Sequence, residues 1–125
     1  MGAWGPGLYQ DDIAEDVKVR YEEKLRKGLS GTEITKILIE ENEYILDDAE
    51  EASVFWFALA DTQWRFGRLE DSVKNKAIAC LEEGTNLKIW EESEEPKAYK
   101  KRQEVLNALK ERLLSEQPPE KKIRI

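Results

Sequence analysis

Histidine is absent from this sequence of 125 residues, and cysteine occurs once, at Cys80. The first absence removes the commonest general base, the commonest zinc and iron ligand, and every catalytic triad that needs an imidazole. The second excludes an internal disulfide and makes a reducing compartment the simple expectation. Glycine and proline, with seven and four copies, are scarce away from the two ends. No apolar run is long enough to span a membrane, and the first residues lack the basic stretch and apolar core of a secretory signal. A cytoplasmic location is therefore expected. Gly2 would suit myristoylation, but Pro6 stands where that motif requires Ser or Thr.

What is present is charge, aromatic side chains and helical periodicity. Charged residues make up 38% of the chain, yet four Trp, four Tyr and three Phe supply bulk for a core. One domain is expected over residues 1–117, with 118–125 as a flexible tail after Pro118 and Pro119. The net charge of −7 is uneven: residues 1–96 carry 11 Lys/Arg against 23 Asp/Glu, and residues 97–125 carry nine against four. An acidic body of this kind repels nucleic acid and attracts basic partners. The plain alternative is that Lys and Glu simply solubilise the outer faces of helices.

Apolar residues recur at helical spacing almost everywhere after residue 11. Ile13, Val17, Tyr21 and Leu25 form one stripe, opened by Asp12 and Glu15 as a capping box and closed at Gly28. A second helix is expected from Ser30 and Glu33 through Ile34, Leu38 and Ile45 to about Leu46. Asp48 and Glu51 then open EASVFWFALADTQWRFG, which is apolar around most of its circumference and so reads as the central helix, ended by Gly67. A fourth helix carries Leu69, Val73, Ala77, Cys80 and Leu81 to Gly84; NLKIW reads as a short closing turn. The last helix runs from Pro96 to Ser115 with Tyr99, Leu106, Leu109 and Leu113 facing inward. The expected fold is all-α: a compact bundle of about five helices, with the glycine-rich N-terminal arm, residues 1–10, packed on the central helix.

Asp61 is the first candidate for chemistry, because a carboxylate in the most apolar helix must be paired or hydrogen-bonded. Thr62, Gln63 and Arg65 are its expected partners, or the arm's backbone is. A functional reading needs a second carboxylate from Asp11, Asp12 or Asp16, and such a pair would suit a hard divalent cation. DDIAED is a poor match to any metal loop, so neither metal nor cofactor is expected. Trp56 and Trp64 lie on nearly one helix face and are read as core, as is Cys80. Lys100, Lys101 and Arg102 form a basic group with little aromatic interleaving, a weak basis for nucleic-acid binding.

Two blocks, MGAWGPGLYQDDIAEDV and FWFALADTQWRFGRL, resemble a family of small bacterial proteins catalogued as domain of unknown function 4259. The first is carried by Gly2, Trp4, Gly5, Asp11 and Asp12, the second by Phe55, Trp56, Ala60, Asp61, Gln63, Trp64, Gly67 and Leu69. The resemblance implies that the arm and the ADTQW segment form one unit, with Trp4 folded onto the helix of Asp61 and Gly5 and Gly7 allowing close approach. It implies no particular activity. The expected function is a non-catalytic protein-binding module, immunity-like or antitoxin-like, whose acidic surface at Glu40, Glu41, Glu43, Asp47 and Asp48 covers a basic partner. Trp4, Asp11, Asp12, Asp61, Gln63, Trp64 and Arg65 are further candidates for partner or ligand binding. The alternative is a small enzyme or ligand-binding protein using Asp61 with an N-terminal carboxylate.

Overall fold

The computed structural model describes residues 5–92 and 95–120. They form an all-α bundle in the order α1 (Asp12–Arg26), α2 (Gly31–Glu41), α3 (Glu43–Leu46), α4 (Ala49–Arg65), α5 (Asp71–Glu83), α6 (Thr85–Glu92) and α7 (Pro96–Leu114). Six are helices proper, and α3 is a single turn of four residues. No strand occurs among the described residues.

The centre is α4. Every residue from Ser53 to Gln63 is buried, as a helix apolar nearly all round requires, and α1, α3, α5, α6 and α7 all contact it. From α1 come Ile13, Ala14, Val17, Tyr21 and Leu25, the four-residue stripe with one added small residue. Burial of each large apolar side chain of this kind contributes roughly 1.5–3 kcal/mol, so this one stripe is a major part of the fold.

Local chemistry sets the helix ends. Asp11, one residue earlier than expected, caps α1: its Oδ1 accepts from the Ile13 N–H at 2.8 Å. Ser30 accepts from the Glu33 N–H at 3.2 Å, and Asp48 accepts from those of Glu50 and Glu51. At the other ends, Gly28, Gly67 and Gly84 all take positive φ. After α4, Gly67 N–H reaches the Trp64 carbonyl at 2.9 Å and Arg68 N–H reaches that of Gln63 at 2.8 Å, a Schellman closure.

Three expectations need correction. The single helix expected from Ser30 to Leu46 breaks at Asn42, whose side-chain amide donates to the Leu38 carbonyl at 2.7 Å. That carbonyl is the one a continuing helix would offer to the Asn42 backbone N–H, which turns instead to Ile39 at 3.2 Å. NLKIW is no mere turn but lies within α6, started directly after the left-handed Gly84. Arg102 is not on an outer basic face: only 1% of it is exposed. Its position explains this, because 102, 106, 109 and 113 fall on one inward stripe of α7.

Residues 118–120 of the expected flexible tail fold back onto the α4–α5 turn. The Gln117 side-chain oxygen accepts from Leu69 N–H at 3.0 Å, and Arg68 pairs with Glu120 at 2.7 Å. A methyl on Gly67 would lie 2.5 Å from the Pro118 carbonyl oxygen, against backbone that cannot rotate away. Gly67 thus serves two constraints at once, a φ of +69° and a close approach. Gly67→Ala is expected to lower stability by about 2 kcal/mol or more, which urea denaturation followed by circular dichroism will read. Gly84, with φ +72° and open space around it, is the comparison, and its alanine variant should lose about half as much.

Candidate functional site

One carboxylate organises the polar interior. Asp61 is 0% exposed, and both its oxygens are occupied. Oδ2 accepts from the Tyr9 hydroxyl at 2.7 Å and from Arg65 Nε at 2.7 Å. Oδ1 accepts from Arg112 Nε at 3.1 Å and Nη2 at 2.8 Å. The three donors come from the arm, from α4 one turn on, and from α7. Two guanidiniums and a phenol thus supply hydrogen bonds to both oxygens of a carboxylate with no access to solvent. Thr62 adds a contact of 3.2 Å to the same phenol.

Tyr9 accordingly holds its proton above the ordinary range, first because it is buried and then because the Asp61 charge opposes a second anion. The Lys18 ammonium lies over the Tyr9 ring, 4.9 Å from its centre. The arm is pinned a second time by Arg102, whose Nη1 donates to the Pro6 carbonyl at 3.3 Å and whose Nε donates to Asn86 Oδ1 at 3.0 Å. Burial lowers the Arg102 pKa to about 10, partly offset by Asp11. Leu8, between the two pins, is 6% exposed and joins the core.

Gln63 faces another way. Its amide donates to Thr35 Oγ1 and Glu70 Oε2, each at 2.8 Å, and its Oε1 accepts the Glu70 N–H at 3.1 Å. The Thr35 hydroxyl also meets the Glu70 carboxylate, which closes a polar triangle between α2, α4 and the start of α5. Gln63 is therefore joined to this triangle and not to Asp61. The geometry follows from helix pitch: residues two apart are rotated by about 200°.

The other expected residues divide clearly. Arg65 joins Asp61; Trp64 is half-buried against the core, with its indole N–H enclosed and unpaired. Asp11 caps α1, while Asp12 and Asp16 are exposed and Asp16 pairs with Arg20 at 2.9 Å. The carboxylate pair expected between Asp61 and the arm is replaced by an ion cluster in which every partner of Asp61 is a donor. Among the described residues, no group of three or more His, Cys, Asp or Glu converges as a metal ligand set. Trp4 lies outside the described residues, and the space at Gly5 and Gly7 is taken by the Gln10 side chain.

Tyr9 and Arg112 are not singled out by the sequence, and Arg102, which it places in a basic surface group, is buried. Arg102 was detectable, because it completes the inward stripe of α7; Arg112 and Tyr9 depend on how separate segments meet. A cleft of about 100 Å³ opens near Phe57, Cys80, Leu87, Leu106 and Lys110. Burial raises the half-buried Cys80 thiol above its ordinary pKa, which opposes nucleophilic use.

Glu40, Glu41, Glu43, Asp47 and Asp48 are all exposed and follow one another around the break at Asn42. Tyr44 lies among them with 69% of its surface exposed, and Glu50 continues the group. Glu41 meets Arg20 at 3.5 Å. No helix among the described residues is long and apolar enough to cross a membrane. No family model, curated protein or solved structure matches this chain.

Replacing Asp61 with Asn would set amide donors against guanidinium donors in a closed site. Asp61→Asn should cost about 2–3 kcal/mol in urea denaturation, less than a fully enclosed pair because both arginines are partly exposed. Alkaline pH gives a second readout. Tyr9 is raised above 10, and burial raises Tyr21 to about 12, so the folded state keeps protons that the unfolded chain loses. Their contribution is complete below about pH 10 and declines as pH rises through the folded values. Urea midpoints should fall from about pH 10 upward, and Tyr9→Phe with Tyr21→Phe should flatten that fall.

Proposed function

We propose that this chain is a non-catalytic protein-binding module whose acidic edge at the α2–α3–α4 junction receives a basic partner. The observation that carries the reading is Tyr44, an exposed aromatic flanked along the chain by the exposed Glu40, Glu41, Glu43, Asp47 and Asp48. Tyrosine is a favoured interface anchor, with large contact area and only two side-chain torsions to fix. Surrounding carboxylates would steer a cationic surface toward it and reject anionic ones. The break at Asn42 helps, because it displays successive acidic residues around a corner instead of distributing them along one helix.

Immunity-like or antitoxin-like binding, in which the module covers a basic toxin or nuclease, is the specific form of this reading. The enzyme alternative loses its main support, since the oxygens of Asp61 are engaged by Tyr9, Arg65 and Arg112.

The test uses immobilised full-length protein and lysate at low and high salt, with wild type beside Tyr44→Ala and a Glu40→Lys/Glu43→Lys/Asp47→Lys variant. Wild type should retain a basic protein in stoichiometric amount at low salt and release it at high salt. Tyr44→Ala should weaken retention about tenfold or more, and the charge-reversed variant should abolish it with helicity unchanged. Retention that survives charge reversal would refute the proposal.

A further inference from the structure

The ion cluster at Asp61 contains more positive charge than one buried carboxylate requires. Arg65, Arg112 and Lys18 gather around Asp61 and Tyr9, and Asp61 is the one carboxylate among the described residues that pairs with either arginine. Counting those four charged groups leaves a local surplus of about two positive charges on a chain whose net charge is −7. A single arginine would satisfy the need to neutralise Asp61. The second and third cations call for another explanation.

Their free donors are accessible. Arg65 uses only Nε on Asp61 and keeps both terminal amino groups; its side chain is 52% exposed. Arg112 uses Nε and Nη2, keeps Nη1, and is 31% exposed. Lys18 is exposed and contacts the Tyr9 ring face, with no acceptor for its ammonium among the described residues. The buried carboxylate fixes the inner edges of both guanidiniums, so their outer edges are oriented before any ligand arrives. Side-chain ordering is usually a cost of binding, and here folding has already met it.

From this geometry we infer that Arg65, Arg112 and Lys18 form a binding site for a phosphate dianion, presented as a free phosphate or as a phosphoryl group on a side chain. A phosphoryl group carries a charge near −2 at neutral pH and offers three acceptor oxygens, matching the surplus charge and the fork geometry of arginine. A polyanion such as duplex nucleic acid fits poorly, because the acidic body would repel its neighbouring phosphates. This site is separate from the acidic edge around Tyr44 and stands whether or not that edge binds a basic protein.

The test is a titration of ¹⁵N-labelled full-length protein with inorganic phosphate, against sodium chloride at matched ionic strength. Saturable shifts are expected at the Arg65 and Arg112 Nε–H resonances and at the amides of Tyr9 and Lys18, with no such response to chloride. Lys18→Gln, an exposed change, should weaken phosphate about fivefold while leaving the rest of the spectrum in place. Arg65→Gln should weaken it further. A phosphoserine peptide that binds tighter than inorganic phosphate assigns the group to a modified protein, and equal affinity assigns it to free phosphate. An identical response to chloride, no saturable shift, or unchanged affinity in Lys18→Gln overturns the inference.

Discussion

A carboxylate with no exposed surface must find donors or lose its charge, and in this protein that requirement joins three parts of the chain distant in sequence. Asp61 draws Tyr9 from the arm and Arg112 from α7 to the central helix, with Arg65 completing its shell. Apolar packing alone does not choose one arrangement so sharply, since similar apolar side chains can exchange places at modest cost. A donor placed wrongly around Asp61 would leave a buried charge unpaired, which costs several kcal/mol. The interaction thus selects among packings more than it adds to their stability.

The same logic orders the rest of the polar interior. Positions two apart on α4 point in different directions, so Asp61 looks toward the arm and α7 while Gln63 looks toward α2 and Glu70. Each buried polar group thereby fixes a different neighbour. Arg102 does for α6 what Arg112 does for α4: it lies on the inward stripe of α7 and spends its guanidinium on Asn86 and the Pro6 carbonyl. The arm, which has no helix of its own to stabilise it, is held by the Tyr9 hydroxyl on Asp61, the Arg102 guanidinium on the Pro6 carbonyl and one apolar side chain, Leu8.

Legibility in the sequence followed the range of the physics. The stripes of α1 and α7, the caps at Ser30 and Asp48, and the terminating glycines depend on neighbours within a few residues, and all can be read from spacing. The break at Asn42 is also local, but it turns on whether a side-chain amide or a backbone N–H takes the Leu38 carbonyl, a contest that periodicity does not register. That Asp61 needed a partner was legible from its apolar surroundings. That Arg112 would be that partner was not, because a helix carrying several surface cations gives no sign of which one lies opposite a particular residue 51 positions away.

Charge distribution separates the two surfaces in a way that net charge conceals. The acidic residues around Tyr44 sit at a corner where α2 stops and α4 begins, exposed and with little local compensation beyond Arg20. The cations around Asp61 and Tyr9 come one each from α1, α4 and α7, so their number is set by three elements instead of one. Opposite charges left free to move would approach and cancel. Here the fold holds members of each group apart: Arg65 and Arg112 are anchored inward by a carboxylate that solvent cannot reach, and Asp48 is held as the cap at the start of α4. An acidic chain can in this way keep a cationic site, because the one carboxylate that touches those cations is saturated by them and cannot neutralise them all.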